Sequence, residues 1–146
     1  MTIHRPLSAQ GVVPVQGSGA ALPVRSVPVM RLTQQVMPVL VQVNIAREPQ
    51  KAGIDEEQLL PFMRRLSEMP GLKVEGLMAI MPIAEDPEAV RPYFRRMREW
   101  FDRLRDMDIP NIHMNTLSMG MSDDCLVACQ EGATMVRLGR ALFGAR

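Results

Sequence analysis

The chain has two cysteines, two histidines and two lysines in 146 residues. Cys125 and Cys129 are four apart on a stretch that reads as helix, and only His4 and His113 could join them as soft ligands. So small a set gives no zinc-type spacing and no disulfide framework. The two read as reduced thiols, which suits a cytoplasmic location. Long apolar runs are also missing, so neither a secretory leader nor a membrane span is expected. Charge of one sign is not in excess: 17 Lys and Arg face 16 Asp and Glu, for a formal net charge of +1. That balance gives no bulk electrostatic case for nucleic acid or a membrane surface as partner. Aromatics are scarce, at 4%, yet the hydrophobic share is 47% and one domain's core is within reach. The 13 methionines supply much of its adaptable packing volume.

Acidic residues are absent altogether from residues 1–37, which hold Arg5, Arg25 and Arg31 among Pro6, Pro14, Pro23, Pro28, Gly11, Gly17 and Gly19. An acid-poor, arginine-bearing start is a feature of organelle transit peptides. Proline and glycine at this density predict an irregular, disordered tail. Beyond it, Pro38 opens a globular part. Val39 to Ile45 is a continuous apolar run bounded by breakers, the pattern of a buried parallel strand. A loop over 46–54 leads to Asp55, a fit cap for a helix running to about Met69 with Glu56 and Glu57 in its first turn. Pro61 predicts a late start or a kink in it. Val74 to Met81 is the next strand, stopped by Pro82. Asp86-Pro87 opens the longest helix, with Asp86 as N-cap and proline at the first position. Val90, Phe94, Met97, Phe101 and Leu104 form its apolar stripe. Arg91, Arg95, Arg98 and Arg105 lie off that stripe and read as a solvated face paired with Glu99, Asp102 and Asp106. Ile112 to Leu117 is the third strand.

The last thirty residues carry the chemistry. Leu117-Ser118-Met119-Gly120-Met121-Ser122-Asp123-Asp124 reads as a strand end, a glycine-and-serine turn and a helix start, with Ser122 as N-cap. Thr134 to Leu138 is a further β-type run, Gly139 breaks it, and Ala141 to Phe143 can begin a final helical turn. Hydroxyls, a glycine backbone and two helix starts thus come to one edge, where free N–H groups favour a phosphate. In a barrel of alternating strands and helices, the last two strand-to-helix loops typically build such a site. Arg137 is placed to lie beside whatever carries the phosphate. Ordinary turns and a structural arginine give the same pattern, and both readings stand at this point.

Strand followed by helix, about four times over, is the order of an α/β fold with parallel strands. Four β-α units are half of a (β/α)8 TIM-type barrel. The expectation is a partial barrel behind an irregular N-terminal tail, with an open sheet edge and an uncovered inner face. A second copy or another polypeptide could cover them.

Several stretches occur in a specific order: Val41-Gln-Val-Asn44-Ile45, Lys51-Ala-Gly53-Ile54, Pro70-Gly-Leu-Lys-Val-Glu-Gly76-Leu-Met78, Leu117-Ser-Met-Gly-Met-Ser122-Asp123, and Val136-Arg137-Leu-Gly139 followed by Ala141-Leu-Phe-Gly144-Ala-Arg146. From about Val39 to Arg146 the chain resembles the C-terminal part of the pyridoxal phosphate homeostasis proteins, the YggS type, which are related to the barrel domain of alanine racemase. Residues 1–37 lie outside that likeness. The resemblance implies a barrel mouth that binds pyridoxal 5′-phosphate (PLP). Ser122 and the backbone at Gly139 and Arg140 would hold the phosphate, with Ser118 as a further candidate, and Arg137 would face the pyridine nitrogen. A guanidinium there disfavours protonation of the ring, which makes it a poorer electron sink. That implies a carrier without catalytic turnover. The chain departs from the family at two points. Arg140 stands where many relatives have a small or hydroxyl residue. The family's Schiff-base lysine lies on an early strand with no counterpart here, and neither Lys51 nor Lys73 matches it. Cofactor binding is then expected to be non-covalent and weakened. Two other readings stay open: a fragment that needs a partner chain, and an amino-acid racemase relative.

Overall fold

A computed structural model of the protein describes residues 36–144. The expected tail, except for its last two residues, lies outside the described residues, as do Ala145 and Arg146 of the last motif. A five-stranded sheet carries the fold, in the order β2-β1-β3-β4-β5. Its strands are β1 (Met37–Asn44), β2 (Ile54–Asp55), β3 (Leu72–Met78), β4 (Ile112–Met121) and β5 (Met135–Arg137), with every neighbouring pair parallel. The helices are α1 (Glu56–Ser67), α2 (Arg91–Asp106), α3 (Cys125–Gln130) and α4 (Arg140–Phe143). Strands that adjoin in chain order and are joined by right-handed crossovers put their helices on one face, as in a barrel wall.

The core lies between that face and the helices. Val41 and Val43 of β1, Val74 and Leu77 of β3, and Leu117 and Met119 of β4 meet Leu59 and Met63 of α1 and the α2 stripe of Phe94, Met97, Phe101 and Leu104. All of these are buried, and the stripe is the one its spacing predicts. Asp86 caps this element as expected, its Oδ1 accepting the Glu88 N–H at 2.9 Å, although the first turn, Pro87–Val90, is a 3-10 helix. Asp86→Ala should lower stability by about 1 kcal/mol, read as an earlier urea midpoint with an unchanged slope.

Four expectations about the elements need correction. The loop over 46–54 ends in an unforeseen strand: β2 pairs Ile54 with Val43 and Asp55 with Asn44. Asp55 precedes α1 but makes no side-chain cap hydrogen bond. Of the late start or kink read from Pro61, the late start does not occur: α1 begins at Glu56 and carries the proline in its interior, on its exposed side. Finally, β4 does not stop at Leu117 but continues to Met121, since its far end is paired on both sides, with β3 at Ser118 and with β5 at Met121.

The arginine face of α2 is paired, partly with other carboxylates than foreseen. Arg98 and Arg105 hold Asp102 at 2.8 and 2.9 Å. Arg91 reaches Glu88 and Glu131 at 2.6 Å, and Arg95 joins Glu131 at 3.2 Å, which ties α2 to the end of α3. Glu99 is in none of these pairs. Hydrogen bonds from Arg91 hold the carboxyls of Glu88 and Glu131 below their usual range, and one from Arg98 does the same for Asp102. A carboxyl depressed on folding contributes stability above its unfolded pKa and loses it as pH falls through the folded value. Melting temperature should therefore be flat near neutrality and drop below about pH 4.5. Glu131→Gln should make that acid fall shallower. Glu88 and Arg95 are well exposed while Glu131 and Arg91 are only partly so, so high salt should narrow the difference without abolishing it.

Candidate functional site

The C-terminal ends of β3, β4 and β5 gather the polar groups. Arg137 is the last residue of β5 and lies in register with Met121 of β4. Its guanidinium reaches back across β4. Nη1 donates to Ser118 Oγ at 2.6 Å and to the Ser118 carbonyl at 3.2 Å, and Nη2 donates to the Ala79 carbonyl at 2.9 Å. Ala79 in turn donates its own N–H to the Ser118 carbonyl at 3.0 Å. One side chain thus ties β5 to the ends of β4 and β3. The hydroxyl of Ser118, a residue only 1% exposed, is turned toward Arg137. Among the described residues no carboxylate lies within 4 Å of Arg137. Burial pushes its pKa down, with Asp124 pulling the other way, but a guanidinium stays charged at any ordinary pH. The result is a half-buried cation whose partners are neutral.

One extra residue of β4 between Ser118 and Met121 makes this aim possible. The bulge turns at Gly120, at φ +92°, where an added Cβ would come within 2.5 Å of the Ala128 Cβ on α3.

Ser122 does not cap α3 as its position suggested. The cap position is Asp124, whose Oδ1 takes the Met121 N–H at 2.6 Å. Ser122 Oγ accepts instead from the Ala141 N–H at 3.1 Å, which joins the β4–α3 turn to α4. Its own hydroxyl proton stays available to another acceptor. Gly139 precedes α4 at φ −109°, with open space where a Cβ would stand. The N–H groups of Gly139 and Arg140 meet no acceptor among the described residues. The Arg140 side chain is ion-paired with Asp123. Unpartnered amides, a hydroxyl and an uncompensated cation at one edge are donors that suit a phosphate carried on an aromatic nitrogen ring. The residues present fit such a group.

Next to this set is a cleft of about 270 Å³, lined by Met81, Pro82, Pro87, Val90 and Met121, with Asp123 and Arg140 at its rim. The two lysines are placed differently. Lys51 Nζ donates to the Met81 carbonyl at 2.9 Å and pairs with Glu48, whose backbone is clamped by the buried Asn44. Lys73 is the second residue of β3, at the opposite end of that strand, paired with Glu75 at 2.5 Å. Asp123, ion-paired with Arg140 and lining the cleft, has a place at the site that the sequence pattern did not assign. Cys125 and Cys129 are free, and among the described residues no three His, Cys, Asp or Glu side chains gather as a metal site.

Consecutive β-α units with parallel strands and a donor set at the C-terminal strand ends define a protein of the (β/α) barrel class, with its candidate site on the face such folds use. The chain belongs to the family described as alanine racemase, N-terminal domain, whose pattern matches residues 20–146. It is 48% identical over 111 residues to a pyridoxal phosphate homeostasis protein of Aquifex aeolicus, covering 76% of this chain and 48% of that one. The protein of the same description from Escherichia coli is 42% identical over 108 residues, covering 74% of this chain and 45% of the relative. The resemblance read from the motifs is thereby borne out, and the family pattern begins at residue 20, inside the 1–37 stretch that the motifs had left outside it. The chain spans about half the length of the curated relatives it matches. Among solved structures, PipY of Synechococcus elongatus with PLP bound superposes with a TM-score of 0.67 at 29% identity, over 79% of this chain and 52% of that one. Alanine racemase of Corynebacterium glutamicum gives 0.56 at 19% identity, over 80% and 32%, a likeness of fold alone.

Proposed function

We propose that this chain binds pyridoxal 5′-phosphate without a covalent bond and serves PLP homeostasis in the cytoplasm without catalytic turnover. The observation that carries the reading is Arg137: a charged guanidinium fixed by neutral groups of Ser118 and Ala79, at the same strand ends as Ser122 and two unpartnered amides. The relatives' descriptions and the PLP-bound PipY structure support the same ligand. In this reading the Gly139 and Arg140 amides and the Ser122 hydroxyl take the phosphate, and Ser118 serves by holding Arg137 in place. Bound PLP supplies an electron sink, and Arg137 at the ring nitrogen weakens it by disfavouring the protonated ring. Neither lysine is offered to the ligand. Lys73 lies the length of β3 away, about 20 Å at the usual rise per residue, and Lys51 is engaged by Glu48 and the Met81 carbonyl.

The test is thermal melting across a PLP titration, followed by borohydride reduction and peptide mass spectrometry. The expected result is a saturable rise in melting temperature that Ser122→Ala diminishes, with no stoichiometric adduct on Lys51 or Lys73. An adduct on either lysine would overturn the non-covalent part. A melt indifferent to PLP would overturn the reading as a whole.

A partner-dependent assembly is the second reading, favoured by the apolar surface at the β5 edge. Leu142 is 68% exposed, Phe143 87% and Met135 47%. Such a patch beside an edge strand invites cover by another chain. Sedimentation showing only monomer at tens of micromolar would set this reading aside.

A further inference from the structure

We propose that the Arg140 side chain is a second cation for the phosphate of the ligand, and that Asp123 holds it in reserve. The inference rests on the phosphate reading of Ser122, Gly139 and Arg140 and deepens it. Arg140 enters that reading through its backbone N–H alone, but its long side chain starts from the same residue and its guanidinium is ion-paired at the rim of the cleft with Asp123, the neighbour of Ser122. Both side chains are well exposed, at 63% and 62%, so the pair sits in high dielectric and is weakly held. A phosphate offers more charge than a carboxylate and matches the planar fork of a guanidinium in two hydrogen bonds. It therefore competes with Asp123 for Arg140 on favourable terms. Asp123 also follows Ser122 directly in the chain, which places a carboxylate next to the phosphate position. It opposes the anion by occupying Arg140 and by repelling like charge. These two effects separate in a double-mutant cycle, because only the first requires an arginine at position 140.

The experiment measures binding of inorganic phosphate and of PLP to the full chain and to Asp123→Asn, Arg140→Ala and the double variant. Asp123→Asn should tighten binding about fivefold when Arg140 is present and less than about twofold when it is alanine. Arg140→Ala alone should weaken binding about threefold. The gain from Asp123→Asn should fall as salt rises. The Asp124 hydrogen bond to the Met121 N–H is untouched by these changes, and melting without ligand checks that each variant folds. Asp123→Ser should repeat the result and guards against an effect peculiar to asparagine. If the parent binds and the gain is equal with and without Arg140, the role given to its side chain is overturned while the phosphate site stands. If neither probe binds saturably to the parent or to any variant, the phosphate site is overturned, and this inference with it.

Discussion

Gly76→Ala should cost more than about 4 kcal/mol, a large part of what a domain of this size has to lose. Gly76 is in β3, where the register against β1 shifts after Val39 and the register against β4 shifts after Val74. Both irregularities are absorbed at φ +151°, a backbone conformation that L side chains rarely adopt. An added Cβ would be 1.8 Å from the Thr116 carbonyl oxygen of β4 and 2.7 Å from its carbonyl carbon. The obstacle is backbone of the neighbouring central strand, so no side-chain rotation can relieve it. Either β3 and β4 move apart, breaking the ladder that places Ala79 against Ser118, or the chain does not reach this fold. The expected result is loss of the cooperative urea transition at 25 °C, or a midpoint lowered by more than half. Gly139→Ala is the control. Its Cβ would meet nothing within 4 Å, and its φ of −109° is open to alanine, so stability should stay within about 1 kcal/mol of the parent. A Gly76→Ala chain that melts like the parent would mean that the β3–β4 contact is not as close as described.

What the sequence made legible was what local periodicity encodes. The spacing of Phe94, Met97, Phe101 and Leu104 requires burial of one helix face whatever lies opposite, and the apolar runs of β1 and β3 read as strands for the same reason. The motifs made the family legible as well, and the residues they singled out, Ser122, Arg137, Gly139 and Arg140, lie near one another at the C-terminal strand ends. The missed features depend on partners distant in the chain. β2 is only two residues long, and pairing with the end of β1 defines it, with no periodicity of its own. The end of β4 has turn-like residues, yet pairing on both sides keeps it extended. The bond Ser122 makes was open in the sequence, because a hydroxyl there can cap the helix that follows or serve another N–H. The structure gives the cap position to Asp124 and Ser122 to Ala141. Nothing local predicts that Arg137 reaches Ala79, 58 positions earlier.

That long reach makes Arg137→Ala the prediction with the largest effect at the site. Truncation removes three hydrogen bonds at once and leaves Ser118 Oγ, in a residue 1% exposed, without its donor. A buried hydroxyl deprived of its partner costs about 1–3 kcal/mol, so the ligand-free protein should melt measurably earlier. The effect on PLP should be separate and larger in proportion. In the proposed reading Arg137 is the cation at the ring end, so without it the extra stabilisation that PLP gives over inorganic phosphate should fall sharply. Arg137→Lys tells the roles apart. An ammonium keeps the charge but cannot hold Ser118 Oγ and the Ala79 carbonyl in a planar fork. It should recover part of the melting temperature and little of the PLP preference. Ser118→Ala removes only the acceptor, and both the cation and its bond to Ala79 survive. That variant should keep a PLP response weakened by less than about tenfold. If Arg137→Ala loses stability but keeps the full difference between PLP and phosphate, Arg137 is a strut between β3, β4 and β5, and the ring-binding role assigned to it is wrong.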